Sequence, residues 1–152
     1  MAGRVLKVYL AASMRGGGDG KGWEALRRLA NIVEGLGHMP MNEVCADKAP
    51  KVKATGKGDR YLFNRDMAWL ELADCLIADV TYPSLGVGYE VAVAVREHDI
   101  PVLALCHEEL PVLSALFEGN TDPLFHLERY SGPEDLQDKV RRFLGKITKG
   151  NV

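Results

Sequence analysis

Apolar positions along this chain alternate between short continuous runs and helical spacing. Residues 5–12 form a β-rich apolar run. Trp23, Leu26, Leu29, Ile32, Val33 and Leu36 then recur at helical steps, and Gly37 follows as a stop. Residues 38–41 read as a short strand, whereas residues 47–58 lack periodicity and read as a mobile surface loop. A second helix is expected after Asp59, running to about Leu72 and burying Leu62, Phe63, Met67 and Leu70. Residues 75–80 make a short buried strand, and the loop 81–88 leads into a helix carrying Tyr89, Val91, Ala92 and Val95. Residues 101–106 are the next strand, 111–117 a short helix and 125–130 a last strand. Pro133 opens a closing helix with Leu136, Val140, Phe143 and Leu144 on its core face.

Strand and helix thus alternate five times. Continuous apolar strands imply a sheet covered on both faces, and the alternation with helices favours a doubly wound α/β fold. The expectation is a five-stranded parallel sheet in a single domain over residues 1–152. Such sheets bind ligands beyond the carboxyl ends of their strands. Residues 13–22 and 81–90 fall at such ends.

Composition narrows the classes. The chain is 47% hydrophobic with a formal charge of -2, which argues against disorder and against coating DNA by bulk electrostatics. No apolar run exceeds five residues, far short of the ~18–20 needed to span a bilayer. The opening residues, broken by Lys7, read as a first strand rather than a signal peptide. Cys45, Cys75 and Cys106 are odd in number and match no zinc spacing, so a reducing, cytoplasmic setting is expected, or a nuclear one in a eukaryote.

The first glycine-rich segment fails both nucleotide fingerprints, because its glycines are out of register for G-x-G-x-x-G and Gly22 follows Lys21 where a Walker motif needs Ser or Thr. Ser13 and Arg15 instead offer a hydroxyl and a guanidinium fork suited to a phosphate monoester, unless the segment is merely a surface turn. In the second segment Gly86 and Gly88 would expose amides at a helix start, with Ser84 adding a hydroxyl. Glu90 would lie in the first helical turn, where acids are also favoured by the helix dipole alone. Asp66 sits beside an apolar helix face, either at its solvated edge or aimed into a pocket. Asp79, ending a buried strand, reads as a partner for loop amides, and a buried Tyr9 hydroxyl would need a partner of its own. His38, His98, His107 and His126 form no ligand spacing, no G-x-S-x-G occurs, and Met14, Met39, Met41 and Met67 read as core filler.

Taken together, Tyr9, the run Ser13-Met14-Arg15-Gly16-Gly17, the run Asp66-Met67-Ala68-Trp69-Leu70 and residues 73–90 resemble the 2′-deoxynucleoside 5′-phosphate N-hydrolase family. That family is a branch of the nucleoside 2-deoxyribosyltransferase superfamily. The resemblance covers most of the chain and is thinnest over residues 47–58. It implies a flavodoxin-like or Rossmann-like fold, a homodimer, and hydrolysis of the N-glycosidic bond of deoxynucleoside monophosphates without metal or organic cofactor. By position, Glu90 matches the nucleophile, Asp66 the acid that contacts the sugar and aids departure of the base, and Tyr9 a tyrosine bonded near the nucleophile. Ser13, Met14, Arg15, Gly16, Ser84, Gly86 and Gly88 match substrate-contacting positions, and Ser114 a serine delivered by the neighbouring subunit to the phosphate. Glu43 stands where some members carry histidine near the base, so base preference stays open. A small nucleotide is then the partner, rather than a nucleic-acid polymer or a membrane. A base-exchanging transferase, a ribonucleoside monophosphate N-glycosidase and a non-enzymatic nucleotide-binding module remain as alternatives.

Overall fold

The computed structural model describes residues 3–15, 19–110 and 113–152. Five parallel strands form one sheet in the order β2-β1-β3-β4-β5. They are β1 (Lys7–Ala12), β2 (Met39–Met41), β3 (Cys75–Asp79), β4 (Val102–His107) and β5 (Phe125–Tyr130). The crossovers are α1 (Lys21–Gly35), α2 (Asp59–Leu72), α3 (Leu85–Arg96) and the four-residue α4 (Ala115–Glu118), and α5 (Pro133–Thr148) closes the chain. A single 3-10 turn, Glu43–Cys45, follows β2 and was not expected. The expected doubly wound parallel α/β fold is therefore present, with the order reversing between β1 and β3. Among the described residues no helix is long and apolar enough to cross a membrane.

Strand alternation decides what faces the site. Val8, Leu10 and Ala12 of β1 point to the face covered by α1 and α5, against Leu26, Leu29, Val33, Leu136 and Val140. Tyr9 and Ala11 point the other way, to the face covered by α2 and α3. A strand shifted by one residue would bury Tyr9 on the wrong side.

Several local expectations need correction. The first strand begins at Lys7, leaving Val5 more than half exposed. Trp23 lies at the edge of α1 and stays exposed, because the core face of that helix is filled by Ala25, Leu26, Leu29, Ala30 and Val33. Phe63 is half exposed, Leu62 and Met67 are only partly buried, and α2 buries Arg65, Trp69 and Leu70. The reason is that part of the sheet-side surface of α2 borders a cleft rather than the core. The segment 47–58 is pinned to the body by buried Ala49 and by the Trp69 Nε1–H bond to the Pro50 carbonyl at 3.0 Å. The short helix before β5 starts only at Ala115; Pro111 and Val112 lie outside the described residues.

Candidate active site

The β3–α3 connection is shorter than the glycines suggested. Ser84 is the N-cap of α3, its Oγ accepting from the Val87 amide at 3.3 Å, and the helix begins at Leu85. Gly88 is already inside the helix, its amide donating to the Ser84 carbonyl at 3.2 Å. It is therefore unavailable to a ligand, contrary to the expectation, whereas the Leu85 and Gly86 amides fall among the first-turn donors that lack intrahelical acceptors. Glu90 lies in the second turn, not the first, so the dipole of its own helix does not account for it.

Glu90, Asp66, Gly86, Phe63, Met67 and Tyr89 line a cleft of about 320 Å³ between α2 and α3. The Tyr9 hydroxyl rises from β1 beneath it and donates to Glu90 Oε1 at 2.7 Å. Burial pushes the Glu90 carboxyl up to about 7, with Asp66 and Glu43 adding to the rise and the Tyr9 hydrogen bond opposing it. Burial also raises Asp66, against hydrogen bonds from Arg65. Tyr9 is held well above its ordinary range by burial and by the charge of Glu90, so it remains a donor. The arrangement thus sets two carboxylates in a partly dry cleft, one of them poised to change charge near neutrality.

Other expected residues stand further off. Ser13 is buried and its Oγ donates to the Pro83 carbonyl at 3.1 Å, tying the β1 and β3 loops together. Arg15 is exposed, with Nη2 bonded to Asp59 Oδ1 at 2.8 Å. Met14 packs partly buried against the α1 and α5 side of the core. Gly16 lies outside the described residues. Ser114 is exposed and caps α4 through the Leu116 amide at 3.3 Å. Glu43 begins the 3-10 turn and pairs with Arg65 at 2.9 Å.

A larger cleft, about 430 Å³, opens on the other side of the same strand ends beside Ser13, Lys21, Asp79 and Tyr130. Its buried acid is already committed: Asp79 accepts from the Thr81 amide at 3.0 Å and from the Tyr130 hydroxyl at 2.8 Å. The smaller cleft is the stronger chemical candidate, because Glu90 and Asp66 each keep one oxygen without a protein partner among the described residues, whereas both oxygens of Asp79 are bonded.

The family model for nucleoside 2-deoxyribosyltransferase matches residues 8–137. The chain belongs to that family. A Thermofilum pendens protein named "Putative 2′-deoxynucleoside 5′-phosphate N-hydrolase 1" is 38% identical over 91% of this chain and 95% of its own. A Mus musculus protein named 5-hydroxymethyl-dUMP N-hydrolase is 36% identical over 76% of this chain and 66% of its own. The solved structure of Clostridium botulinum CMP N-glycosidase superposes with a TM-score of 0.59 at 18% identity, covering 89% of this chain and 98% of that one, which speaks to fold alone. Beside the cleft stand Arg65 and Trp69, which the residue pattern did not single out, the Trp69 ring lying under the Arg65 guanidinium. Arg65 is the more consequential of the two, since it bonds both Asp66 and Glu43.

Proposed function

We propose that the chain hydrolyses the N-glycosidic bond of 2′-deoxynucleoside 5′-monophosphates, releasing the free base and 2-deoxyribose 5-phosphate. The observation that carries this reading is the Tyr9–Glu90 pair opening on the cleft that Asp66 also lines. Ionised Glu90 attacks C1′ as the bond to the base breaks, forming a glycosyl ester, and Asp66 assists the departing base by hydrogen bonding or proton donation. Water then cleaves the ester, its hydroxyl going to C1′ and its proton replacing the one taken up by the departed base, so that Glu90 is freed as the carboxylate. Tyr9 supports the ionised nucleophile and gives way as charge leaves the carboxylate. The first-turn amides of Leu85 and Gly86, with the Ser84 hydroxyl as a further donor, suit the 5′-phosphate. Arg15 joins them by exchanging the exposed Asp59 carboxylate for the phosphate. Ser114 of a second subunit completes that site in a homodimer.

The test is a panel of deoxy- and ribonucleoside 5′-monophosphates, with matching deoxynucleosides, scored by free base released. Turnover of deoxynucleoside monophosphates, lost in Glu90→Ala and weak on the 5′-hydroxyl compounds, is the expected result. Equal kcat/KM for dGMP and deoxyguanosine would remove the phosphate assignment. Near-normal kcat in Glu90→Ala would remove the nucleophile.

A further inference from the structure

Arg65 precedes Asp66 on α2, yet its side chain is only 11% exposed. Adjacent helical positions diverge, so this Arg–Asp contact does not follow from sequence neighbourhood. Three groups hold the guanidinium in place. Its carbon lies 4.6 Å from the ring centre of Trp69, one turn further along the same helix face. Its Nη2 donates to Glu43 Oε1 at 2.9 Å. Nε and Nη2 both donate to Asp66 Oδ1, at 3.0 and 2.9 Å. Trp69 is itself fixed by its bond to the Pro50 carbonyl.

A buried cation is costly unless paired, and here two carboxylates pair with it. Asp66 therefore has one oxygen fully committed, while Oδ2 has no protein partner among the described residues and the residue borders the cleft. We propose that Arg65 is a positioning residue: clamped by Trp69 and Glu43, it fixes Asp66 through Oδ1 and leaves Oδ2 as the oxygen offered to the bound nucleotide. The kinetic consequence rests on the N-hydrolase reading; the geometric one does not.

The groups around Asp66 come from four elements: Arg65 on α2, Glu43 on the 3-10 turn, Glu90 on α3 and Tyr9 on β1. Two of these carboxylates, Asp66 and Glu43, share the one guanidinium, and Glu90 adds a third negative neighbour to Asp66. Removal of the guanidinium leaves Asp66 buried among negative neighbours, so its titration must move upward.

The experiment compares the full-length protein with Arg65→Met, which keeps the stem against Trp69, and Arg65→Lys, which keeps the charge without the planar fork. Asp66 is titrated by carboxyl carbon NMR, and kcat and KM are measured on the deoxynucleoside monophosphate turned over best. In Arg65→Met the Asp66 midpoint rises and kcat falls roughly 10–100-fold, the scale of a misplaced catalytic group, with KM changing far less. In Arg65→Lys the midpoint stays near wild type while kcat still falls about tenfold. An unmoved Asp66 midpoint in Arg65→Met overturns the proposal, as does a rise in KM with kcat intact. If Arg65→Met does not fold, wild-type kcat in Arg65→Lys overturns it instead. Should no nucleotide lose its base, the functional reading falls, and the NMR midpoint alone still decides for or against Arg65.

Discussion

Tyr9 and Glu90 are 81 positions apart in the chain and 2.7 Å apart in the fold. Their bond opposes the burial that pushes the Glu90 carboxyl up, so Tyr9→Phe must move that carboxyl higher still. If Glu90 is the nucleophile proposed above and acts ionised, kcat/KM of the wild type falls as pH drops through about 7, and the variant loses activity at a higher pH. At pH 6 a further loss of roughly 3–10-fold is expected, shrinking above pH 8, and a pH–rate profile measures it. An acid limb that stays where it was would mean that Tyr9 does not tune Glu90. Among these residues Tyr9 was partly legible, since a hydroxyl inside an apolar strand demands a partner. Glu90 and Asp66 were singled out through the family likeness, and the fold brings both to one cleft, whereas their local patterns favoured a dipole-stabilised first turn and a solvated edge respectively. Arg65 was not legible, because an arginine on a helix defaults to solvent and only the fold brings Trp69 and Glu43 to it.

Element boundaries show where local preference lost to packing. Gly86 and Gly88 suggested a loop, as each costs about 1 kcal/mol relative to alanine in a helix. The Ser84 cap, with Val87, Val91, Ala94 and Val95 buried against the sheet, outweighs that cost and starts α3 at Leu85. The strands were readable because continuous apolar runs have few alternatives in a sheet covered on both faces. Gly22 carries a different constraint. A Cβ there would lie 1.7 Å from the Ser13 carbonyl oxygen, so α1 meets the end of β1 only if this position is glycine. Gly22→Ala should cost roughly 1–3 kcal/mol and disturb the Ser13–Pro83 tie between the two loops. Gly145→Ala, at an open position within α5, should instead stabilise by about 0.5–1 kcal/mol. Chemical denaturation of both variants measures the contrast, and equal effects would contradict the close contact at Gly22.

At the scale of the whole molecule, several apolar side chains stay exposed: Tyr89 and Phe63, both about half exposed, pack together at 6.1 Å on the lining of the cleft, and Leu85, the first residue of α3, is 96% exposed. Leu116, beside Ser114, is 83% exposed. This distribution supports the proposed homodimer. Glu90→Ala and Ser114→Arg, each inactive alone, should regain part of the wild-type activity when refolded together, because a mixed dimer holds one site free of both lesions. Mixed dimers without activity would confine Ser114 to its own subunit. The carboxylate described in the cleft has a separate consequence, for folding itself. Glu90 ionises near 4.5 when unfolded and near 7 when folded, so its favourable contribution is full below 4.5 and is lost as pH rises to 7. That loss is roughly 3 kcal/mol, held by the native state at every pH where the Glu90 carboxylate is charged. Glu90→Gln, which cannot ionise, should therefore raise the melting temperature by roughly 5–10 °C at pH 8 and leave it nearly unchanged at pH 4.5. Calorimetry at the two pH values reads this directly, and equal shifts at both would exclude Glu90 as the source. Readiness for attack and resistance to heat are thus opposed in one side chain, and the opposition grows as the pH climbs from 4.5 to about 7 and is complete in alkaline solution.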